Sequence, residues 1–327
     1  MSDGSATHEG SAASGHGGLL AVLAALPAGA TRAVLAVVVA TSGSTYRKPG
    51  ALIVLSDDAR EGWLSGGCLE GELELAGREV LAAGVPRLVG FNTQGDDDLV
   101  FGSASGCRGE IQLLLLPVDG RSPVVEALRT FGDGNAALAL DLGADGSGIA
   151  TLGVRQWSWK SPRLEADVVR WTLRLAPPPR VLLLGAGPET APFLRHARTL
   201  GWRVEVVEQR GRWLDAVRLA DRHWSTPPRE VAQMAAGYDA AVVMSHHYSN
   251  DRAYLAALAE GGIGFVGLLG PPARRDALLA ELGDEVSGRL RSRLHAPVGL
   301  RLGGEGPEAI ALAIVAELQQ RFSTACA

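Results

Sequence analysis

Cysteine is scarce in this chain. Its 327 residues include three cysteines, Cys68, Cys107 and Cys326, and three methionines. Three widely separated cysteines are too few for the disulfide framework of a small secreted domain. Aromatic residues make up only 5% of the chain, so bulky aromatic packing is not what organises its loops.

The chain also lacks an excess of basic charge and a long apolar run. Its 31 Lys and Arg residues against 36 Asp and Glu give a net charge of −5, whereas nucleic-acid binding needs a concentrated basic surface. Residues 1–18 contain neither Lys nor Arg, which predicts a disordered leader rather than a secretory signal. The apolar stretch 19–26 is too short to span a membrane. We therefore expect a cytoplasmic protein.

Glycine is abundant, with 42 residues, and hydrophobic residues reach 46%, which is enough to bury a core. Three successive prolines at 177–179 cannot continue a helix or a central strand, so they suit a stiff connector. We therefore predict two domains, 19–176 and 177–327, after the leader.

The two predicted domains differ in their pattern of elements. The first reads as an α+β domain with a helix over 68–83 and strands at 33–40, 51–56, 62–64, 87–91, 110–116, 136–142 and 149–154. The second alternates strands and helices, as a parallel sheet with crossover helices does. Its predicted strands are 180–184, 204–207, 240–244 and 265–269, and its helices are 189–200, 250–260, 272–282 and 307–321. The fold class is therefore α/β, with a Rossmann-like, doubly wound second domain.

The segment VLLLGAGPETA carries the sharpest motif of the second domain. Gly185 and Gly187 permit a tight turn and a close approach of the backbone to a pyrophosphate. Glu208 ends the next strand, where its carboxylate could accept hydrogen bonds from ribose hydroxyls. Thr190 occupies the third glycine position of the usual fingerprint. Two readings remain open: an NAD(P) or other nucleotide site, or glycines that only shape the turn. An NAD(P)-dependent oxidoreductase is thus the alternative function.

Two histidines follow a predicted strand of this domain. His246 and His247 lie just past DAAVVMS, at the carboxyl end that faces the ligand crevice of a parallel sheet. A ligand contact and a solvated side chain are both open interpretations.

Two cysteine–glycine loops mark the first domain. In SGGCLEG, Gly66 and Gly67 precede Cys68, and Glu70 follows it. Cys68 lies at the predicted N-terminus of the helix, whose dipole would favour a thiolate. A thiolate is a soft ligand for a transition metal or a nucleophile for sulfur transfer, so Cys68 is a candidate metal ligand.

Cys107 in GCRGE is the second candidate metal ligand, and the neighbouring Arg108 could stabilise its thiolate or an anionic ligand. The turn TSGSTYRK adds hydroxyls and the cation of Arg47. Together the loops suit a phosphorylated, sulfur-binding ligand. The alternative is that the cysteines are small buried hydrophobes. Zinc is not expected, because neither cysteine has a partner at ligand spacing.

The segments ATSGSTYRKPGALIVLS, GWLSGGCLEGE and GCRGEIQLLL resemble the N-terminal domain of the xanthine dehydrogenase accessory family, XdhC/CoxI. VLLLGAGPE, AAVVMSHHYSND, FVGLLGPPARRDALL and LHAPVGLRLGGEGPEAIALAIVAEL resemble that family's Rossmann domain, in the same order. The resemblance covers nearly the whole chain from about residue 19. Ser103-Ala104-Ser105 depart from the glycine-rich run that the family often has there.

The resemblance implies a chaperone that binds molybdenum cofactor (molybdopterin) and has no turnover of its own. Such a protein assists sulfuration of the cofactor by a cysteine desulfurase and its insertion into a molybdenum hydroxylase apoenzyme of the xanthine dehydrogenase, aldehyde oxidase or carbon monoxide dehydrogenase type. By the same resemblance Cys68 becomes the leading cofactor- or sulfur-handling residue, and Cys107 the second. A homodimer is compatible with the sequence.

Overall fold

The structure is a computed structural model that describes residues 10–11, 18–57, 59–92, 109–159 and 169–325. By its internal contacts the chain divides into two compact units, Met1–Pro177 and Pro178–Ala327. The first is built on antiparallel sheets and the second on a parallel sheet with helices, which confirms the predicted α/β class with a Rossmann-like second half.

The elements of the N-terminal unit follow one another as strands with a few helices between them. In chain order they are β1 (Gly10–Ser11), α1 (Leu19–Ala24), β2 (Arg32–Gly43), β3 (Leu52–Leu55), β4 (Arg60–Glu61), α2 (Glu70–Ala83), β5 (Arg87–Asn92), β6 (Gly109–Asp119), α3 (Pro123–Asp133), β7 (Leu138–Gly143), β8 (Gly148–Leu152), β9 (Arg155–Trp159) and β10 (Arg170–Leu175).

The central sheet of this unit has the strand order β4-β3-β2-β6-β5, with antiparallel pairs throughout. Its middle strand β2 is buried on both faces, which explains the continuous apolar run AVLAVVVA. Leu35 and Val37 face a core shared with α3 and the second sheet, whereas Val34 and Ala36 face the core that contains the apolar side of α2. The second sheet has the order β1-β10-β7-β8-β9.

One predicted strand of this unit is wrong. Residues 62–64 were expected to form a strand, but β4 is Arg60–Glu61 and the chain leaves the sheet at Gly62. Gly62 has a φ of 100°, and a Cβ there would lie 2.9 Å from the Leu52 carbonyl oxygen. The bend therefore needs glycine, and it redirects the chain into the loop that carries Cys68.

The C-terminal unit alternates strands with helices. Its elements are β11 (Arg180–Leu184), α4 (Thr190–Thr199), β12 (Arg203–Val207), β13 (Arg222–Trp224), α5 (Val231–Ala235), β14 (Ala240–Val243), α6 (Tyr248–Glu260), β15 (Val266–Leu268), α7 (Pro272–Leu290), β16 (Leu294–His295) and α8 (Pro307–Ala325).

The parallel sheet has the order β13-β12-β11-β14-β15-β16. Helices α4 and α8 pack on one face, and α5, α6 and α7 pack on the other. The chain order reverses between β11 and β14, which pair directly. In open α/β sheets, ligands bind at the carboxyl ends of the strands beside such a reversal.

The predicted helices of this unit are confirmed, with shifted ends. Helix α7 runs eight residues further than expected because it continues past a kink at Gly283, whose φ is 77°. The short strands β13 and β16 were not predicted, since two or three residues carry too little periodicity to be recognised.

Candidate functional site

The topology of the N-terminal unit brings its motif loops to one end of the central sheet. Strand β2 ends there at Gly43 and β3 begins there at Leu52, so the connecting turn, with Arg47, lies at that end. Strand β4 runs towards the same end because it is antiparallel to β3, and the Cys68 loop follows it. Strand β6 also begins there, with Gly109 opposite Gly43.

Cys68 is a free, exposed thiol on the glycine loop. It lies two residues before the first residue of α2, rather than inside the helix as the sequence predicted. Gly67 has a φ of 119°, and apart from the chain neighbours no atom of the described residues lies within 4 Å of the Cβ position at either Gly66 or Gly67. The described part of the chain therefore leaves space above both glycines, where a ligand could approach their backbone closely.

The loop is held from beneath by the buried carboxylate of Glu70, which is 5% exposed. One oxygen accepts the N–H groups of Leu64 (3.2 Å) and Ser65 (2.8 Å). The other accepts the Ser65 hydroxyl at 2.5 Å and the Leu69 N–H at 3.2 Å. Glu70 was predicted as a ligand residue, but its carboxylate points under the loop, where it fixes the backbone that carries Cys68.

Burial alone would raise the pKa of Glu70, but the hydrogen bonds from Ser65 and from backbone N–H groups outweigh it and lower the pKa below its ordinary value. Glu70 is therefore an anion at neutral pH. The Ser65 hydroxyl also accepts the N–H groups of Gly67 and Leu69, both at 3.1 Å. Ser65 and Glu70 together order the whole SGGCLE segment.

The turn between β2 and β3 presents cationic side chains. The Thr45 hydroxyl donates a hydrogen bond to the Arg47 carbonyl at 2.8 Å and accepts one from the Lys48 ammonium at 3.4 Å. Burial lowers the pKa of Arg47, and among the described residues its buried Nε has no hydrogen-bond partner. Tyr46 beside it is 64% exposed.

Gly109 packs against this turn. A Cβ at Gly109 would lie 2.5 Å from the Ser44 carbonyl oxygen, so only glycine fits there. The predicted site residues Cys107 and Arg108 lie outside the described residues, and their assignment stays a prediction. In the described part of the chain, no three or more His, Cys, Asp or Glu side chains are grouped so that they could hold a metal ion.

The carboxyl edge of the parallel sheet is the second candidate site. Gly185 has a φ of 85°, and a Cβ there would lie 2.3 Å from Cα of Ser245, at the end of β14. Glycine is therefore required where the turn after β11 touches the neighbouring strand. Thr190, at the third position of the glycine fingerprint, is fully buried, and its hydroxyl accepts the Gly187 N–H at 2.9 Å.

Glu208 lies at the end of β12, as predicted, but its carboxylate is 3% exposed and points into the protein. Its oxygens accept the Ala186 N–H at 2.8 Å and the Nε and Nη2 of Arg210 at 2.9 and 2.6 Å. The backbone N–H groups of Gln209 and Arg210 donate to it as well. Although burial opposes it, these hydrogen bonds lower the pKa of Glu208.

His246 lies between the two strand ends at the chain reversal. Its backbone is left-handed, with a φ of 54°, and its Nε2 lies 2.9 Å from the carboxylate of Glu189 at the start of α4. The hydrogen bond that His246 donates to the Glu189 carboxylate raises the pKa of His246. The neighbouring His247 is exposed and precedes α6.

Three charged residues of this edge were missed by the sequence reasoning. Glu189 is 6% exposed, and Asp251, in the first turn of α6, is 1% exposed. The Asp251 carboxylate accepts a hydrogen bond from the Ser245 hydroxyl and another from the Arg274 guanidinium at 2.6 Å. The available signal was an acidic residue at the helix N-terminus, Glu189 at the N-cap of α4 and Asp251 in the first turn of α6, whereas nothing local marks Arg274.

None of the helices in the described part of the chain has the length and apolar character needed to cross a lipid bilayer.

The fold and these sites define a class: a two-unit α/β protein with a thiol-bearing glycine loop in one unit and a Rossmann domain as the other. Residues 27–92 match the XdhC and CoxI family, and residues 181–318 match the XdhC Rossmann domain. The chain belongs to the XdhC/CoxI family, and the resemblance inferred from its motifs is confirmed.

Two of the proteins similar to this chain carry names related to xanthine dehydrogenase. A probable xanthine dehydrogenase subunit of Bacillus subtilis (strain 168) is 28% identical over 314 residues, which cover 88% of this chain and 92% of that protein. A crystal structure from Bacillus halodurans, described as a xanthine dehydrogenase, is 27% identical with a TM-score of 0.77, covering 95% of this chain and 96% of that one. The uncharacterized protein YqeB of Escherichia coli (strain K12) is 30% identical over 153 residues, which span 43% of this chain and 27% of YqeB.

Proposed function

We propose that this protein is a molybdenum cofactor-binding chaperone that assists sulfuration of the cofactor and its insertion into a molybdenum hydroxylase. Membership of the XdhC/CoxI family and the relatives named for xanthine dehydrogenase support a role beside such an enzyme. The observation that carries the proposal is Cys68, an exposed thiol on a loop whose backbone is fixed by the buried Glu70 carboxylate.

The chemistry of this sheet end fits a cofactor that carries sulfur and phosphate. A thiolate is a soft donor, suited either to molybdenum or to handling sulfur. Arg47 and Lys48 lie in the turn at the same end of the sheet and supply the cations that a phosphate would need. Within the described part of the chain, nothing beyond the chain neighbours covers the Cβ positions of Gly66 and Gly67, which leaves room for a ligand beside the thiol.

A carrier of this kind binds and releases its cargo and performs no turnover of its own. The loop supports that role, because Glu70 is committed to backbone hydrogen bonds and is not available as an acid or base. The partners of such a carrier are the apoenzyme that receives the cofactor and a cysteine desulfurase that supplies the sulfur. A homodimer is compatible with the proposal.

Co-expression with a molybdopterin supply tests the proposal. We expect the purified wild-type protein to carry close to one pterin per chain, measured by the fluorescence of the released, oxidised pterin. Cys68→Ala should retain less than about a tenth of that amount, since a lost thiolate contact of about 1.4 kcal/mol already weakens binding tenfold. Arg47→Gln should weaken binding more when the pterin carries its phosphate.

Cys326→Ala is the matched control, because it removes a thiol of the same chain from its last residues. It should bind as the wild type does. Binding undiminished in Cys68→Ala would remove Cys68 from the site and leave the chaperone function standing. Absence of pterin from the wild type under the same supply would contradict the function itself.

A further inference from the structure

Rossmann domains commonly hold a dinucleotide by its diphosphate at the glycine turn. The turn does so by presenting unpaired backbone N–H groups, by letting the backbone of the second glycine approach the phosphate, and by placing an acidic residue near the ribose. The C-terminal unit departs from each of these three requirements.

The backbone N–H groups of the turn are already used. Gly185 N–H donates to the Val207 carbonyl at 2.8 Å, and Ala186 N–H donates to Glu208 at 2.8 Å. Gly187 N–H donates to the Thr190 hydroxyl at 2.9 Å. Residue 188 is proline and has no N–H. From residue 185 to 188, no backbone N–H is left for a phosphate oxygen.

The face of the second glycine is covered as well. A Cβ on Gly187 would lie 2.4 Å from Nε2 of His246 and 2.9 Å from a carboxylate oxygen of Glu189. The ion pair between these two side chains therefore lies against the backbone that a diphosphate would have to approach. A carboxylate at this position also repels a phosphate, because like charges at short range in a partly buried site are costly.

The acceptor for ribose hydroxyls is engaged too. Glu208 receives hydrogen bonds from the turn and from Arg210, and it is almost completely buried. One donor in this region is unused, since Nη1 of Arg210 is buried with no partner among the described residues. The same guanidinium is already paired with Glu208, so it offers little net charge to a second anion.

We infer that Glu189 is a built-in anion that takes the diphosphate position of this Rossmann domain, with His246 as its counter-ion, so that the turn excludes dinucleotides. Helix α4 then has a carboxylate at its N-terminus in place of a ligand phosphate, which satisfies the same helix dipole. The inference is independent of the proposed function, and it argues against the alternative NAD(P)-dependent oxidoreductase.

Calorimetric titration of the full chain with NAD⁺, NADPH and inorganic pyrophosphate tests the inference. We expect no saturable binding by the wild type up to about 1 mM ligand, which corresponds to a binding free energy weaker than about −4 kcal/mol. Glu189→Gln keeps the size of the side chain and removes its charge, so that His246, when protonated, is a cation beside Gly187 without the Glu189 carboxylate. This variant should gain pyrophosphate binding of at least about tenfold, with a larger gain at pH 6 than at pH 8.

The groups that face His246 are Glu189 from the start of α4, Asp251 from α6 and Arg210 from the loop after β12. Only Glu189 changes in the variant, so a gain in binding is assigned to the loss of its charge. Glu189→Ala is a second variant that should behave in the same way, and Glu230→Gln, an exposed glutamate of the same unit, should stay without binding.

Two outcomes would overturn the inference. One is saturable binding of a dinucleotide or pyrophosphate by the wild type at micromolar concentration. The other is folded Glu189→Gln and Glu189→Ala variants that bind pyrophosphate no better than the wild type. The first would show that the turn opens to a phosphate, and the second that the carboxylate is not what excludes it.

Discussion

Two buried glutamates each accept hydrogen bonds from backbone N–H groups of a glycine-containing loop. Glu70 holds the loop of Cys68, and Glu208 holds the turn at Ala186. A buried carboxylate is stable as an anion only if its oxygens receive hydrogen bonds, and loops rich in glycine have N–H groups to give. These side chains therefore fix the shape of the motifs in which they occur.

The first prediction concerns Glu70→Gln. The amide offers only one oxygen and no charge, so at least one of the N–H groups of Leu64, Ser65 and Leu69 is left buried without a good acceptor. We expect the free energy of unfolding at pH 7 to fall by about 2 kcal/mol, measured by urea denaturation. Glu72→Gln, on the exposed side of the same helical turn, is the control and should change it by less than about 0.5 kcal/mol.

The same variant has a pH signature. Because the folded-state pKa of Glu70 lies below its ordinary value of 4.5, its stabilising effect is present above that pH and is lost as the pH falls through the folded pKa. The difference between the wild type and Glu70→Gln should therefore be full at pH 7 and shrink below about pH 4.5. An equal difference at pH 7 and at the acid end would contradict the role assigned to the carboxylate.

A second prediction concerns His246. The hydrogen bond that it donates to the Glu189 carboxylate raises its pKa above the ordinary 6.5, so protonation stabilises the fold. That contribution is complete below pH 6.5 and is lost as the pH rises through the folded pKa. We expect the thermal midpoint of the wild type to fall over this window relative to that of His246→Gln, in differential scanning calorimetry. Parallel pH profiles of the two proteins would show that the pair adds no stability.

At the scale of single elements, the contact between the glycine turn and β14 gives a third prediction. Gly185→Ala puts a methyl group 2.3 Å from Cα of Ser245 at a φ of 85°, so the two strand ends must separate. We expect a loss of at least about 2 kcal/mol in unfolding free energy, followed by the fluorescence of the buried Trp202 in the same unit.

Gly211→Ala is the control for this substitution. Apart from its chain neighbours, no atom of the described residues lies within 4 Å of its Cβ position, and its φ is in the ordinary range. Its effect should stay within about 0.5 kcal/mol. If both variants lose the same stability, the close contact at Gly185 is not what makes glycine necessary there.

Much of the element order could be predicted from the sequence, for a physical reason. Long buried strands such as β2 and β11, and amphipathic helices such as α4, carry enough periodicity to be recognised. Helix α3 was not predicted, although Pro123 stands in its first turn. Strand β10 was not predicted either; it gains its stability from pairing with β7, a partner distant in the sequence.

At the scale of the whole molecule, the sequence marked candidate loops but not which of their side chains are exposed. Cys68 is exposed, whereas Glu70 and Glu208 point inwards. The difference depends on partners that are distant in the sequence: the direction of β4 brings the Cys68 loop to the end of the sheet, and the Ala186 N–H of the preceding turn donates to the Glu208 carboxylate. Spacing along the chain contains neither fact.

The last prediction concerns the two units themselves. Each has its own apolar clusters: Leu128 and Leu114 belong to one of the clusters of the first unit, and Phe193 and Leu183 to one of those of the second. A chain of about 150 residues buries enough surface to fold alone. We therefore expect fragments 18–177 and 178–327 to unfold cooperatively when expressed separately, in urea denaturation followed by circular dichroism.

The Gly185→Ala substitution distinguishes independent units from a single cooperative one. If the units unfold independently, the full chain should show two unfolding transitions. The substitution should then shift the transition of fragment 178–327 and the matching transition of the full chain. The second transition of the full chain should stay unshifted and coincide with that of fragment 18–177. Trp171 and Trp202, both buried, lie in different units, so Trp→Phe variants at each position assign the fluorescence change to a unit. A fragment that stays unfolded while the full chain folds would show that its clusters need the rest of the protein. A single shared shift in the full chain would show that the units unfold together.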